Sequence, residues 1–426
     1  MKNRGVINNN QTRFSILIPT RNRHETLFFA IKTCLEQNFE NYEIVVCDNN
    51  SSSETREVIE KLSNIRIKYI RSNKTLAMSS NWELAVSHAK GEFVIVIGDD
   101  DGLLPDALIN IDRILHQTKT NVLRWDRVCY SWPSIPDGSE PNRVEIPMRE
   151  EFEYINGEEI IMSVANYRDE YTKLPMLYNS AIHIDLINES KSYNGYLFAT
   201  WCPDIYSGFV FAYLSKEYVS TRVPMSINGR SIKSNGFIEK DNNYGDTVVQ
   251  KEFYYLSKMD RFNFHLKAPN IRHISAEIAN NFYYAKEIMF PTNTNLFIDR
   301  KNLIINLMRS LNYISPTRKI WDKHIKELRR SINDDINLLS WFDSNISDTK
   351  FNKLSTIGGK DDPLGFNGSI LKLDVAQFNI FDVHGVSKLS KVILGDMKKI
   401  KIVETKTNLN FRQRIRAAAR LIIKGR

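Results

Sequence analysis

The feature that most constrains the fold of this chain is a regular alternation of strand and helix patterns over its first 110 residues. Short apolar runs typical of buried strands are separated by stretches in which apolar residues repeat at helical spacing. The strand-like runs are FSILIPT (14–20), YEIVVCD (42–48), IRIKYI (65–70) and EFVIVIG (92–98). Strands and helices that alternate so densely require right-handed crossovers and form a mostly parallel sheet with helices on both faces. The pattern therefore predicts an α/β domain of the nucleotide-binding type.

The second helix of this alternation has a recognisable start signal. The sequence SSSE fits a capping box, in which the side chains of Ser51 and Glu54 bind each other's backbone amides. We therefore expect a helix that begins after Ser51 and turns Val58 and Leu62 inward.

Three of the predicted strands end in polar clusters. PTRNR ends the first strand, DNNSSS the second and GDDDG the fourth. Ligands of open α/β sheets bind beyond the carboxyl ends of parallel strands, so we expect these clusters to share one edge of the sheet. The pattern alone proposes a site built from Thr20, Arg21, Arg23, Asp48, Asp99, Asp100 and Asp101.

The three adjacent aspartates are the most informative of these clusters. Their carboxylates repel one another at the end of a buried strand unless a cation offsets the charge. Magnesium and manganese prefer oxygen ligands, commonly one or two carboxylates together with phosphate oxygens of a substrate. The cluster therefore predicts a site for a divalent cation and a diphosphate, with an ordinary acidic turn as the alternative.

Composition narrows the class of partner. The net charge of +8 favours an anionic partner, and no nucleic-acid-binding motif is present, so we expect no nucleic acid. The four cysteines are too far apart for a zinc site. No apolar run approaches the roughly 18 residues of a membrane span, and the N-terminus lacks the apolar core of a signal peptide. A cytoplasmic protein is the expectation.

The pattern changes along the chain and predicts its domain organisation. We expect a flexible N-terminus at 1–12, an α/β domain at 13–250 and a mainly helical region at 251–426. The α/β domain divides into a nucleotide-binding half (13–115) and an acceptor half (116–250).

The last segment, FRQRIRAAARLIIKGR (411–426), predicts a basic amphipathic helix. Phe411, Ile415, Ala419 and Ile422 share one face, and arginines and a lysine flank it. Such a helix can lie at the surface of an anionic membrane, which would place the protein at the inner face of the membrane. Docking on the protein's own body and oligomerisation are the alternatives.

The segments FSILIPTRNRHETLFFAIKTCL, YEIVVCDNNSSSET and NWELAVSHAKGEFVIVIGDDDGLLPDAL resemble the N-terminal half of family 2 glycosyltransferases. The close resemblance covers residues 12–110 and implies a GT-A fold. It implies an inverting transferase that moves a sugar from a nucleotide-sugar donor, usually UDP-linked, with Mn²⁺ or Mg²⁺. The implied acceptor is a hydroxyl of a glycan or lipid-linked acceptor in the synthesis of surface polysaccharide or glycoconjugates.

The resemblance also assigns site residues. The family's Asp-x-Asp motif places the metal at Asp100, with Asp101 as a further metal ligand. The ribose contact falls at Gly98 or Asp99, so the roles of the three aspartates stay open. Relatives often carry arginine where this chain has Ser80, and Lys74, Arg21 or Arg23 is expected to supply that charge. The implied donor-binding residues are Pro19, Thr20, Arg21, Arg23, Asp48, Lys74, Asn81 and Asp99.

The implied general base is an acidic residue at the start of a helix in the acceptor half. CPDIYSGFVFA fits this description, and Asp204 is the candidate, ahead of Asp185 and Glu217. The alternative role for Asp204 is a helix cap after Pro203.

Other features of the acceptor half allow two interpretations each. Tyr178 and Trp201 either stack on a sugar ring or pack in the core, and INGRSIKSNG (227–236) is either a lid over the diphosphate or a surface loop. A non-catalytic binder of nucleotide sugars or glycans is the alternative function. A nucleotidyltransferase is disfavoured because PTRNRHET has no glycine, and a dehydrogenase because no G-x-G-x-x-G follows the first strand.

Overall fold

The computed structural model describes residues 12–135, 140–234, 248–261, 263–315, 317–346, 351 and 363–396. Its strands form one mixed sheet: β1 (Phe14–Thr20), β2 (Tyr42–Asp48), β3 (Ile67–Arg71), β4 (Phe93–Val96), β5 (Gly102–Leu103), β6 (Val122–Ser131), β7 (Arg143–Pro147), β8 (Phe152–Asn156), β9 (Ser180–His183), β10 (Glu217–Arg230), β11 (Gly365–Phe366) and β12 (Ile370–Asp374). The helices are α1 (His24–Leu35), α2 (Ser53–Leu62), α3 (Met78–Ser87), α4 (Ala107–Thr118), α5 (Gly157–Ala165), α6 (Ile184–Asn194), α7 (Pro203–Ser215), α8 (Val248–Lys258), α9 (Ile274–Met289), α10 (Arg300–Ile314), α11 (Arg318–Arg330), α12 (Ile336–Asn345) and α13 (Val383–Leu394).

The N-terminal alternation forms the parallel part of the sheet, as predicted. Strand β1 lies between β2 and β4, β3 follows β2, and all three pairings are parallel. Successive side chains of a strand point to opposite faces. Leu17 and Val45 therefore enter one apolar core, whereas Ile16 and Ile44 enter another. Both faces of this part of the sheet are covered.

The second helix begins slightly later than predicted. Its N-cap is Ser52, not Ser51. The backbone N–H of Ser51 donates to Oδ1 of Asp48 at 2.8 Å, and its hydroxyl accepts from the N–H of Asn22 at 2.9 Å. Ser51 therefore belongs to the turn that connects the ends of β1 and β2.

The sheet becomes mixed in the acceptor half, where β10 is the strand that matters for the site. It runs parallel to β6 and antiparallel to β5 and β8. Ser226 and Ile227 of β10 pair with Leu103 and Gly102, immediately after the three aspartates. The carboxyl end of β10 is thereby brought against the aspartate turn.

The C-terminal region is mainly helical, as predicted, but it also contributes to the sheet. Strands β11 and β12 form an antiparallel hairpin, and β12 pairs with β7. A five-residue apolar run such as ILKLD is too short for periodicity to distinguish strand from helix, so the hairpin was not predicted. The predicted basic helix at 411–426 and residues 1–11 lie outside the described residues.

Within the described ranges, no helix is both long enough and apolar enough to cross a membrane.

Candidate active site

The three aspartates follow β4 in a tight turn. The N–H of Asp101 donates to the carbonyl of Gly98 at 3.2 Å, which closes the turn. Asp99, Asp100 and Asp101 are each at most 3% exposed. Three carboxyl groups are therefore held in a buried position, where each needs hydrogen bonds or opposite charge.

Asp99 joins the aspartate turn to the end of β1. Its Oδ2 accepts from the hydroxyl of Thr20 at 2.6 Å, and its Oδ1 accepts from Nη1 of Arg23 at 3.0 Å. Burial raises the pKa of Asp99, although Arg23 opposes the shift. The first and fourth polar clusters of the sequence thus meet at one edge of the sheet.

Asp101 is bound by backbone amides on both sides. Its Oδ1 accepts from the N–H of Gly229 at 2.7 Å, and its Oδ2 accepts from the N–H of Gly98 at 2.6 Å. Burial, followed by the charge of Asp100, raises the pKa of Asp101 to about 7. Both oxygens of this carboxyl group are therefore engaged by the protein itself.

Asp100 is engaged through one oxygen only. Its Oδ2 accepts from the hydroxyls of Ser231 at 2.7 Å and Ser234 at 2.5 Å, with Nη1 of Arg23 3.8 Å away. No residue in the described ranges donates a hydrogen bond to Oδ1. The free oxygen of the cluster is therefore on Asp100.

Close packing against β10 fixes the backbone of the aspartate turn. A Cβ on Gly229 would lie 1.7 Å from the carbonyl oxygen of Asp100, so only glycine fits. Nε1 of Trp132 donates to the same carbonyl at 2.9 Å. Gly229 lies in the segment 227–236 that the sequence suggested as a lid or a surface loop. Its contact with the aspartates and the role of Trp132 were not predicted, because nothing in the sequence shows that residues 128 positions apart (101 and 229) meet.

The cluster fits a cation bound partly by substrate. In the described part of the chain, no group of three or more His, Cys, Asp or Glu residues is arranged to hold a metal alone. Magnesium sites that serve nucleotide substrates commonly use one or two carboxylates and complete their shell with phosphate oxygens and water. The geometry favours Asp100 as the ligand, with the predicted ligand Asp101 as its amide-bound neighbour.

The segment after β10 closes over Asp100. Arg23 donates through Nη2 to the carbonyl of Lys233, and Nζ of Lys233 donates to the carbonyl of Asn22 at 3.2 Å. Residues 231–234 are thereby tied to the start of α1. Residues 235 and 236 of the predicted loop lie outside the described residues.

Asp48 is completely buried at the end of β2. Its Oδ1 accepts from Ser51, and its Oδ2 accepts from the hydroxyl of Tyr69 at 2.5 Å and from Nη1 of Arg71 at 2.6 Å. Asp48 was predicted to contact the nucleotide-sugar donor, and in the structure both of its carboxylate oxygens accept hydrogen bonds from the protein. Arg71 was missed, although it is paired with Asp48 at the shared end of two neighbouring strands, a position that strand alignment alone could have suggested.

Arg21 connects the nucleotide-binding half with the C-terminal region. Its Nη1 donates to the carbonyl of Asn49 at 2.6 Å, and its Nε donates to Oε1 of Glu252 on α8 at 2.7 Å. Helix α8 therefore lies beside the ends of β1 and β2, where the sequence predicted the donor.

Three further residues, Pro19, Asn81 and Lys74, were predicted to bind the nucleotide-sugar donor. Pro19 pairs with Cys47 across β1 and β2, and buried Asn81 donates through Nδ2 to the Cys47 carbonyl at 3.3 Å. Lys74 is exposed between β3 and α3. Among the described residues, none of these three side chains forms a hydrogen bond or an ion pair with Asp99, Asp100 or Asp101.

Asp204 lies in the first turn of α7. Cys202 is the N-cap and Pro203 the first helical residue, so Asp204 is not the capping residue. Burial raises the pKa of Asp204, and the Ile205 amide and the charge of Arg127 oppose the shift. A carboxylate with a raised pKa suits proton abstraction near neutral pH.

The two other candidates for the base are far more accessible. The Asp185 side chain is 81% exposed, beside His183 on α6. Glu217 is exposed at the start of β10. Neither shares the burial that raises the pKa of Asp204.

Tyr178 and Arg127 connect the aspartates with Asp204. The Tyr178 hydroxyl accepts from Nδ2 of Asn228 at 3.1 Å, and the same nitrogen lies 3.5 Å from Oδ1 of Asp101. The guanidinium of Arg127 lies 4.9 Å from the centre of the Tyr178 ring, so one ring face is covered by a cation. Tyr178 was predicted as a sugar-stacking residue, and Arg127 was missed. Trp201 is partly buried just before α7.

Comparison with known proteins finds a family that the N-terminal part of this chain resembles. Residues 15–172 match the family model described as Glycosyl transferase family 2. The similarity is limited to this part of the chain. The match includes the aspartate turn, Thr20, Asp48 and Arg127, and it ends before Asp204 and β10. The assignment of Asp204 and of the β10 residues to the site therefore depends on the structure and not on the family match.

Relatives named as glycosyltransferases match the same N-terminal part. One is the GalNAc(5)-diNAcBac-PP-undecaprenol beta-1,3-glucosyltransferase of Campylobacter jejuni, 39% identical over 99 residues, which are 22% of this chain and 32% of the relative. Another is the UDP-Glc:alpha-D-GlcNAc-diphosphoundecaprenol beta-1,3-glucosyltransferase WfaP of Escherichia coli, 30% identical over 87 residues, 20% of this chain and 35% of the relative. The chain thus spans about a third of these relatives' length.

A solved structure covers more of the chain at lower identity. The crystal structure of Staphylococcus aureus TarS 1-349 in complex with UDP-GlcNAc aligns with 77% of this chain and 83% of its own, at 13% identity and a TM-score of 0.47.

Proposed function

We propose that this protein is a metal-dependent, inverting glycosyltransferase. It moves a sugar from a UDP-linked donor to a hydroxyl of a lipid-linked glycan acceptor. The observation that carries the proposal is the buried aspartate turn at the carboxyl edge of parallel strands, in which one carboxylate oxygen, Oδ1 of Asp100, accepts no hydrogen bond from the described residues. The named substrates of the two relatives support the classes of donor and acceptor.

The proposed reaction is a single displacement. Asp204 accepts the proton of the acceptor hydroxyl, whose oxygen forms a bond to the anomeric carbon of the donor sugar. The bond from that carbon to the diphosphate oxygen breaks, and UDP leaves with the electron pair. Because attack and departure occur on opposite sides of the carbon, the anomeric configuration inverts. A cation held by Asp100 would supply charge to stabilise the leaving diphosphate.

Binding of UDP tests the proposal most directly. At a concentration one hundred times its Kd, a ligand stabilises the folded state by about 2.7 kcal/mol, so a rise in melting temperature of about 3 °C or more is expected. The measurement is thermal unfolding with UDP, ADP or CDP, each with and without Mn²⁺ or Mg²⁺. Stabilisation by UDP that requires the cation supports the proposal, and indifference to every nucleotide contradicts it.

Turnover separates a transferase from a non-catalytic binder of the same fold. Release of UDP from UDP-glucose and UDP-N-acetylglucosamine is measured with a bacterial lipid extract as the source of acceptor. Cation-dependent binding of UDP without turnover of either donor, in the presence or absence of the extract, would favour the binder.

Cation affinity is expected to rise with pH between about pH 6 and pH 8. The pKa of Asp101 is raised to about 7, so at lower pH its proton removes a negative charge beside Asp100. As the pH rises through this value the charge returns, and the affinity should level off above it. Calorimetric titration of Mg²⁺ into a mixture of the protein and UDP measures the trend. A titration of UDP with Mg²⁺ in buffer corrects for ionisation of the nucleotide, and a flat corrected profile would refute the assignment.

A further inference from the structure

Arg127 is a half-buried cation that has no ionic partner among the residues that the structure describes. It lies in β6, and no carboxylate in the described ranges comes within 4.0 Å of its guanidinium. Nor does any described residue accept a hydrogen bond from it. Its one close contact is the face of the Tyr178 ring, 4.9 Å away. The guanidinium carries five N–H donors and always keeps its charge, so these donors are available to a ligand.

Two other arginines of the site differ from Arg127, because each has a carboxylate partner among the described residues. Arg124, on the same strand, forms an ion pair with Asp126 at 2.5 Å and donates twice to the carbonyl of Thr172. Arg23 is paired with Asp99. Arg124 and Arg23 are therefore satisfied by the protein, whereas Arg127 has no such partner among the described residues.

The position of Arg127 lies between the two functional groups of the site. On one side of the Tyr178 ring that carries it, Nδ2 of Asn228 donates to the Tyr178 hydroxyl and lies 3.5 Å from Oδ1 of Asp101. On the other side, the N–H of Leu177 donates at 3.4 Å to the hydroxyl of Ser207, on the same helix as Asp204. Tyr178 helps to hold the Arg127 guanidinium in place, because its hydroxyl accepts a hydrogen bond from Asn228 while its ring packs against the guanidinium. An anion bound by Arg127 would lie beside the acceptor hydroxyl that Asp204 deprotonates.

We propose that Arg127 binds a phosphate group carried by the acceptor, next to the hydroxyl that is glycosylated. This inference rests on the proposed function, in which the cation at Asp100 already offsets the charge of the donor diphosphate. The acceptor is thus a sugar linked to a phosphate or diphosphate, and Arg127 recognises that group through paired N–H donors. Transfer to a neutral, phosphate-free glycan would leave the guanidinium without its partner.

The test uses the full chain with its donor site filled. Inorganic phosphate is titrated by calorimetry into protein saturated with UDP and Mg²⁺. The wild type should bind one phosphate, and Arg127→Gln should weaken that binding by about tenfold or more, the effect of losing a charge-assisted hydrogen bond. The Kd of UDP, measured separately, should change less than twofold.

Two further variants serve as controls. Tyr178→Phe keeps the ring beneath the guanidinium and should retain phosphate binding. Arg56→Gln, an exposed arginine of α2 paired with Glu60, should change neither measurement. Loss of UDP affinity in Arg127→Gln would assign the residue to the donor and overturn the inference, as would unchanged phosphate affinity or no phosphate binding in the wild type. Failure of the wild type to bind UDP would instead refute the proposed function, and this inference with it.

Discussion

Replacing Asp204 by asparagine should lower turnover by about 10² to 10⁴-fold, the usual contribution of a general base. Asparagine has nearly the same shape and can keep its place in the first turn of α7, but it cannot accept the hydroxyl proton. Neither donor nor cation contacts this residue in the proposed arrangement, so the UDP affinity of the variant should equal that of the wild type. UDP release from the donor in the presence of acceptor gives the rate, and calorimetry gives the affinity.

The pH profile distinguishes a base from a structural aspartate. Burial raises the pKa of Asp204, and a base must be ionised to act. The rate should therefore fall on the acid side at a higher pH than for an ordinary aspartate, and this acid limb should vanish in Asp204→Asn. The matched control is Asp185→Asn, the same change on an exposed first turn. Equal losses in the two variants, or an unchanged acid limb, would show that Asp204 is not the base.

The N-terminal half of the fold could be predicted because its signals are local. Each buried strand is an apolar run, and each helix follows with its own periodicity, so the order of elements dictates a parallel sheet. The same logic placed Thr20, Arg23 and Asp99 at one edge, where the structure shows them in contact. Local sequence pattern is sufficient to predict site residues that follow neighbouring parallel strands, because the carboxyl ends of those strands meet at one edge of the sheet.

The other half of the site depends on contacts that local pattern does not encode. Asp101 receives the amide of Gly229, and Asp100 receives the hydroxyl of Ser231, more than 120 positions along the chain. Which residues of β10 face the aspartate turn depends on the pairing of β10 with β5 and β6, and a shift of one residue would present different groups. The sequence also cannot show that Arg127 has no carboxylate partner among the described residues, because this depends on which carboxylates the fold brings close to it.

Replacing Asp100 by asparagine should abolish cation-dependent donor binding and lower turnover by at least about 100-fold. Losing the cation removes several kcal/mol of charge stabilisation from the leaving diphosphate, and each 1.36 kcal/mol corresponds to tenfold in rate. The asparagine carbonyl can still accept from Ser231 and Ser234, so the turn should keep its shape. Thermal unfolding with UDP and Mn²⁺, together with UDP release from the donor, measures both effects.

Stability without ligands separates a lost ligand from a lost fold. The charge of Asp100 raises the pKa of both Asp99 and Asp101, which shows that the three carboxylates repel one another. Removing the central charge should leave the cation-free protein at least as stable as the wild type, even though its response to UDP and Mn²⁺ is gone. Asp106→Asn makes the same change beyond the turn, where the carboxylate is paired with Lys391 at 2.8 Å, and should keep the full response. An Asp100→Asn protein that melts far below the wild type, or that is still stabilised by UDP only with Mn²⁺, would show that Asp100 supports the turn rather than the cation.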